Sequence, residues 1–344
     1  MTDIWERLKT EERPVCLYGT GNGADKIIDK MILDGSIEKV KGVFASSDFI
    51  RNKKFRGYQI ESYEALRERY PEMLVLICFG TKRPEVLANI ERIASEQEVL
   101  APEVPVYGDE IFDYAYFQKH KDELDKVRSL LADDLSVKTF DILIENKLSG
   151  RIDILKECET TEEEETSLLG RIKGSFLDLG AYNGDTVAKY TNAFPGIDRI
   201  TAVEPDIRNF RKLEANTKGL NIRLINALIS DCEGEVSIGG KGGRGISESR
   251  EGSSLIHCDS VDNILAGEQV SFIKMDVEGN ELKAINGAAR TIRKYKPAMH
   301  IAAYHKSGDL FEIPLRVLEL NNSYKIYLRH TRHIPAWDTD LIFV

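Results

Sequence analysis

The stretch Phe176-Leu-Asp-Leu-Gly-Ala-Tyr-Asn-Gly-Asp-Thr186 decides how this chain is read. Its first part, Phe176 to Leu179, predicts a short buried strand. The strand runs into a turn from Gly180 to Gly184, and a helix is expected to open at Asp185, with Val187, Ala188 and Tyr190 turned inward. Strand, glycine turn and helix N-terminus together bring backbone N–H groups against a polar or anionic ligand. The spacing Asp178-x-Gly180-x3-Gly184 differs from the G-x-G-x-x-G/A of a dinucleotide-binding turn. One glycine turn is a weak signal, so the residues after it must decide what it holds.

Downstream the chain alternates strands and helices. Arg199 to Glu204 reads as a second strand ending in an acid, Pro205-Asp206 as a turn, and Ile207 to Asn216 as a helix. Ile222 to Ile225 is a third strand, delivering Asn226-Ala227. Leu228 to Cys258 departs from a minimal fold: two short added strands, Glu235 to Ile238 and Ser254 to Cys258, flank the loop Gly239-Gly-Lys-Gly-Gly-Arg244, read as a flexible lid or plain loop since no P-loop match exists. Val270 to Met275 is the fourth core strand and presents Asp276-Val-Glu278-Gly279. One helix follows, with Leu282, Ile285, Ala288, Ala289 and Ile292 on one face, ending at Lys296-Pro297. Ala298 to Tyr304 reaches His305. A helix from about Leu310 to Asn321 and the strands Tyr324 to Leu328 and Asp340 to Val344 complete the unit. Ligands of open parallel sheets bind at the carboxyl ends of the strands, and those ends carry Asp178, Glu204, Asn226, Asp276 and His305.

A second glycine turn opens the chain. Val15 to Tyr18 enters Gly19-Thr-Gly21-Asn-Gly23-Ala24, which satisfies G-x-G-x-x-A. Ile27, Ile28, Met31 and Ile32 recur at helical spacing. Val40 to Phe44, Leu74 to Phe79 and Val104 to Tyr107 read as strands, with helices Tyr63 to Arg69 and Arg83 to Ala94 between them. This predicts a small Rossmann-like domain over residues 1–110. A dinucleotide site needs an acid where the second strand ends. Here the chain reads Val43-Phe44-Ala45-Ser46-Ser47-Asp48, so the acid comes late, and Arg51, Lys53 and Lys54 favour a phosphate instead. The segment Phe55-Arg-Gly-Tyr58 resembles the small N-terminal domains of sugar-modifying enzymes. An accessory domain that kept its glycines for chain geometry and a nucleotide or nucleotide-sugar site both remain open.

Residues 111–170 lose the alternation and read as a helical connector: an aromatic cluster (Phe112, Tyr114, Tyr116, Phe117), then helices Lys119 to Leu131 and Ser136 to Lys147, the latter capped by Ser136. The acid run Glu159 to Thr166 reads as a solvated turn. A length of 344 residues implies more than one domain, and 42% hydrophobic with 30% charged residues describes a globular protein. The net charge of −10 argues against a nucleic-acid or anionic-membrane surface. No apolar run reaches the roughly 20 residues of a membrane span, and the acid-bearing N-terminus does not read as a signal peptide. Cys16, Cys78, Cys158, Cys232 and Cys258 are scattered singly, which predicts reduced thiols, no zinc site and a cytoplasmic setting.

Residues from about 130 to 344 resemble FkbM-type S-adenosylmethionine-dependent methyltransferases. The resemblance rests on Phe176 to Thr186, Val203-Glu-Pro-Asp206, Asn226-Ala227 with Glu233-Gly-Glu235, and above all Ile273-Lys-Met-Asp-Val-Glu-Gly-Asn-Glu281; Tyr304-His-Lys306 and Leu328-Arg-His330 add to it. It says little about residues 1–110; for 171–344 it implies a class I methyltransferase-like seven-stranded sheet, which with the N-terminal unit makes an α/β fold with two Rossmann-like domains, and it implies O-methylation of a small molecule such as a sugar or secondary metabolite. It places S-adenosyl-L-methionine against Asp178, Gly180, Ala181, Tyr182, Asn183, Gly184, Asp185, Thr186, Glu204, Pro205, Asp206, Asn226, Ala227, Asp276 and Glu278. Tyr182 departs from the family, standing where many methyltransferases have glycine.

The chemistry fits those residue types. Glu204 can accept from both hydroxyls of a ribose. An acceptor hydroxyl must lose a proton, and His305 and Asp276 are the two candidates to take it; Lys274 shares a strand face with Asp276 and can keep it charged. Each also has a plain reading, His305 as a hydrogen-bonded structural residue and Asp276 as a helix cap. Glu278 and Glu281 are expected in the first helical turn. Asp276, Glu278 and a histidine could ligate a metal, but their spacing demands none. The competing functions are an NAD(P)-dependent oxidoreductase or epimerase working at the N-terminal glycine turn, and a non-catalytic nucleotide-sugar-binding or assembly protein. The partner expected is a small-molecule hydroxyl acceptor, with no nucleic acid and no membrane.

Overall fold

The structure is a computed structural model that describes residues 3–46, 54–239, 247–248 and 254–344. Ser47, Asp48, Arg51 and Lys53, and the loop from Gly240 to Arg244, lie outside the described residues. The chain divides into two compact units: Met1–Glu123 with Val137–Thr160 and His330–Asp338, and Leu124–Ser136 with Thr161–Arg329 and Thr339–Val344. Residues 111–170 are thus shared between both.

The first unit is built on a sheet of order β3-β4-β2-β1-β5-β6. Its strands are β1 (Val15–Tyr18), β2 (Val40–Phe44), β3 (Lys54–Phe55), β4 (Tyr58–Glu61), β5 (Leu74–Ile77) and β6 (Glu98–Leu100). All pair in parallel except the β3–β4 hairpin, whose turn residues Arg56 and Gly57 both have positive φ. Alternate residues of β1 go to opposite faces: Val15 and Leu17 pack with Ile4, Trp5, Ile27 and Met31, while Cys16 and Tyr18 pack with Tyr63, Ile90 and Ile93. Ile32, expected inward, is exposed. Val104 to Tyr107 forms no strand. Pro102 and Pro105 cannot donate to a ladder, and the edge is taken by Glu98–Leu100 instead. β7 (Glu159–Thr160) pairs in parallel with His330 and Thr331.

Two readings within residues 111–170 are corrected. The helix Asp134–Ser149 is capped by Asp133, whose Oδ1 accepts from Ser136 N at 2.8 Å. Ser136 lies inside the helix, and its Oγ accepts from Leu328 N and from Arg329 Nη1. The acid run is no solvated turn: Thr161 and Glu164 form a capping box, and a helix runs over Glu162–Leu168.

The second unit holds a central sheet of order β10-β9-β8-β15-β16-β18-β17. The strands of this unit are β8 (Lys173–Leu179), β9 (Gly196–Val203), β10 (Ile222–Ile225), β11 (Leu228–Ser230), β12 (Gly234–Gly239), β13 (Ser247–Glu248), β14 (Ser254–Ser260), β15 (Phe272–Met275), β16 (Ala298–Ala302), β17 (Ile326–Thr331, to Arg329 in this unit) and β18 (Thr339–Phe343). From β10 to β16 the pairs are parallel; β18 joins β16 antiparallel. The insertion forms its own sheet, β11-β14-β12-β13, larger than the two expected strands because Leu228–Ser230 pairs alongside β14. The helix expected from Leu282 to Ile292 is two, Glu281–Gly287 and Ala289–Tyr295, broken at Ala288; Gly287 raises the cost of continuing the helix there. Phe176, Phe272, Tyr190 and Phe194 fill the core on one sheet face. No described helix is long and apolar enough to cross a membrane.

Candidate active site

β8, β9 and β15 end side by side, and their end residues interlock. After Leu179 the chain turns at Gly180 with φ +79°, where an added Cβ would lie 1.8 Å from the carbonyl oxygen of Asp276. Only glycine lets these two turns touch. Gly180 N and Ala181 N both donate to Val203 O at 3.0 Å. Tyr182 has φ +47°, which explains why glycine suits this position elsewhere. Its N–H donates to Glu204 Oε2 at 2.9 Å, while Asp206 N donates to Oε1 at 2.8 Å. Gly184 caps the helix Asp185–Ala193 in a left-handed conformation. Asn183 Oδ1 accepts from Asp185 N, and Asn216 Nδ2 holds the Asn183 carbonyl.

The side chains divide into those that build the turn and those that remain reachable. Asp178 is wholly buried, accepts from the Thr186 hydroxyl, and lies 3.9 Å from Lys274 Nζ. Burial pushes its pKa up, with Lys274 and Thr186 opposing. The Lys274 ammonium also donates to Gly180 O at 3.2 Å and stands 3.8 Å from Asp276 Oδ2. Burial pulls its pKa down, but Asp276 and Asp178 outweigh that and raise it. Asp178 and Lys274 are therefore internal fasteners. Asn226 spends its amide donors on Glu204 O and Pro205 O, so its donor end is committed to the chain. Asp206 caps the helix Ile207–Asn216 through Arg208 N and Asn209 N. Ala227 and Ala181 are buried. Glu204 sits 5% exposed, and burial pushes its carboxyl up to about 7, against the pull of its two backbone donors.

Beyond β15 and β16 a second group gathers. Glu278 has φ +53° and precedes the helix, which opens at Glu281 with Asn280 as its cap. Neither Glu278 as a first-turn residue nor Asp276 as a cap is therefore correct. Glu281 Oε1 accepts from Val277 N and Gly279 N, pinning the turn. His305 is buried among carboxylates: Nδ1 is 2.9 Å from Glu281 Oε1, and Nε2 is 3.5 Å from Asp276 Oδ1 and 3.6 Å from Glu278 Oε2. Burial lowers its pKa, but Glu281, Asp276 and Glu278 overcome this and lift it to about 10. Burial raises Glu278, with His305 opposing. Asp309, pushed up to about 7 by burial with Glu281 adding, accepts from Lys306 N. Asp276, Glu281 and His305 each bring a ligand-type atom within 4.8 Å of the others. Glu281 and Asp309 were missed as site residues. Glu281 closed the Lys-x-Asp-x-Glu-Gly-x-Glu run, but Asp309 carried no signal beyond standing four residues after His305.

Residues 178–326 match the family model described as the Methyltransferase FkbM domain. A search of curated proteins finds no match. Among solved structures the chain is similar to Methyltransferase FkbM from Methylobacillus flagellatus KT, at 22% identity and a TM-score of 0.72, covering 99% of this chain and 93% of that one. At that identity the likeness establishes the fold. Weaker matches include precorrin-6y C5,15-methyltransferase from Geobacter metallireducens GS-15 (15% identity, TM-score 0.35, 54% of this chain and 86% of that one). Another is Aeropyrum pernix fibrillarin in complex with S-adenosyl-L-methionine (16% identity, TM-score 0.32, 53% and 74%).

Proposed function

We propose that this chain, whose residues 178–326 match the methyltransferase FkbM domain, moves a methyl group from S-adenosylmethionine to a hydroxyl of a small neutral molecule, such as a sugar or secondary metabolite. The observation that carries the reading is the Glu204 carboxylate, buried between two strand ends and tied to the backbone of the Gly180–Gly184 turn. The residues fit the cofactor. Gly180 keeps the turn free of a side chain, and the helix beginning at Asp185 offers a polar N-terminus. Glu204 retains acceptor capacity on both oxygens beyond its backbone donors. When bound, the cofactor supplies a methyl group on a sulfonium, already activated as a leaving group.

The chain must hold the acceptor in line and take its proton. His305 is poorly suited to take it: both ring nitrogens face carboxylates, and at a pKa of about 10 the ring is already protonated at neutral pH. The base role passes to Asp276 and Glu278, which are partly exposed beside Nε2. Glu278 is the more suitable proton acceptor because burial raises its basicity, while Asp276, flanked by Lys274 and His305, holds the hydroxyl. His305 is then a positioning residue, an imidazolium that sets both carboxylates. The acidic balance of the chain suits a neutral acceptor over a polyanion.

Calorimetric titration with S-adenosylhomocysteine tests the cofactor site; no heat at millimolar ligand overturns it. Methyl incorporation into a metabolite extract then finds the acceptor. In that assay Glu278→Gln should cut kcat about 10²–10⁴-fold with cofactor affinity kept. A kcat within threefold of the parent removes Glu278 as base.

A further inference from the structure

The acid run at the start of the second unit leaves one residue unexplained. Glu162, Glu163 and Glu164 are exposed on the helix Glu162–Leu168, but Glu165 is 2% exposed. A glutamate so buried needs compensation. Two polar groups of the sheet lie close to it. His300 on β16 is opposite Ile342 on β18, and Asp340, opposite Ala302, is two residues away along the same strand, so both side chains use one sheet face. Glu165, His300 and Asp340 bring one ligand-type atom each within 4.8 Å of one another.

His300 is the informative member. Its Nδ1 is hydrogen-bonded to the Tyr190 hydroxyl, which fixes the ring. Its Nε2 is buried and has no hydrogen-bond partner among the described residues. That nitrogen stands 3.4 Å from Asp340 Oδ1, beyond the 2.7–3.2 Å of an ordinary N–H···O bond. Two ligand atoms each about 2.1 Å from a tetrahedral ion are separated by about 3.4 Å. An imidazole oriented through one nitrogen, with the other at that spacing from the Asp340 carboxylate and Glu165 in the same cluster, is the arrangement of a metal ligand and its supporting partner. We propose that Glu165, His300 and Asp340 form a binding site for a divalent transition-metal ion, with Tyr190 holding the histidine. One imidazole and two carboxylates suit Zn²⁺ or Mn²⁺. The ion would tie the helix Glu162–Leu168 to β16 and β18. The site does not depend on the proposed methyl acceptor or on cofactor use.

The test uses the full chain, stripped with a chelator and titrated calorimetrically with ZnCl₂ and with MnCl₂, each alone, with thermal melting in parallel. One ion per chain should bind, and at a hundredfold excess over Kd the melting temperature should rise by about 5 °C. Glu165→Gln and Asp340→Asn should each weaken binding at least tenfold while S-adenosylhomocysteine titration and the ion-free melting temperature show an intact fold. Absence of binding by both ions overturns the proposal. So does binding unchanged in both variants, and so does binding lost in Glu281→Gln but kept in Glu165→Gln and Asp340→Asn, which would assign the ion to the cluster around His305.

Discussion

The two glycine turns of this chain look alike in sequence and differ in what surrounds them. Gly19-Thr-Gly21-Asn-Gly23-Ala24 satisfies the dinucleotide spacing, and chain geometry accounts for two of its glycines without a ligand: Gly19 has φ +116°, and a Cβ on Gly23 would lie 2.4 Å from the Cys78 carbonyl oxygen, while a Cβ on Gly21 would meet nothing within 4 Å. The strand beside it ends in Phe44 and Ala45, and Ser46 is hydrogen-bonded to Tyr18. Gly180 has the same kind of packing reason, against Asp276. There, however, the neighbouring strand delivers Glu204, whose carboxylate reaches back to Tyr182 N. Glycine spacing reports where backbones must touch. The ligand chemistry is carried by the residues at the adjoining strand ends.

The largest effects should come from filling either turn. Gly180→Ala places a Cβ 1.8 Å from backbone at φ +79°, and nothing flexible can yield. A loss of about 3 kcal/mol or more is expected, together with loss of S-adenosylhomocysteine binding by titration. Gly23→Ala should destabilise comparably in thermal melting, since its obstacle is also a carbonyl, yet leave the affinity of the folded fraction within twofold. Abolished binding in Gly23→Ala would make the two turns functionally alike and break the contrast.

Glu204 is the next point of pressure. Glu204→Gln keeps the size of the side chain and removes the charge, so charge-assisted hydrogen bonds worth about 1.5–3 kcal/mol are weakened. S-adenosylhomocysteine should bind about tenfold to a hundredfold less tightly. Ser46→Ala, at the corresponding strand end of the first unit, should leave that affinity unchanged. Equal affinities in Glu204→Gln and the parent would show that the second strand end is not the ribose contact.

The same carboxyl predicts a pH dependence with two signs. Its pKa rises from 4.5 to about 7 on folding, so its contribution to stability is fully present below about 4.5 and is lost as pH rises through about 7. Donor hydroxyls favour the ionised form, so affinity moves the other way. Below pH 7 binding should weaken by up to about tenfold per unit. Protons should be released on binding at neutral pH, seen as heats that vary with the ionisation enthalpy of the buffer. In Glu204→Gln this proton release should vanish. Affinity that is flat from pH 6 to 8 would remove the link.

Where local pattern dominates, the sequence was enough. The helix Ile207–Asn216 and the strands Ile222–Ile225 and Val40–Phe44 stand at the residues expected, because apolar periodicity and flanking turn residues agree there. Tertiary partners decided the rest. Ser136 looked like a cap, but Asp133 takes that place and Ser136 turns to Leu328 and Arg329, far along the chain. Glu165 looked solvated within its acid run, yet it is buried close to His300 on β16 and Asp340 on β18. The strand ends gave the positions of Asp276 and His305, while the protonation of His305 depends on Glu281, whose role no periodicity announces.

Tyr182 should show the smallest effect and the finest discrimination between the turns. Its φ of +47° costs a non-glycine residue of order 1 kcal/mol. Against this, the residue is 42% exposed and its ring has Lys212 Nζ 5.7 Å from the centroid, a contact worth about 0.5–1 kcal/mol at such a site. Glycine there relieves the strain, loses that contact and frees the unfolded chain, so Tyr182→Gly should leave stability within about 1 kcal/mol of the parent. Cofactor affinity separates two roles for the ring. If it covers the ligand, S-adenosylhomocysteine should dissociate several-fold faster from Tyr182→Gly, with Tyr182→Phe like the parent because stacking needs no hydroxyl. Unchanged dissociation in both would make the ring a solvent-facing neighbour of Lys212, and the hold of this turn on its ligand would then rest on backbone and Glu204 alone.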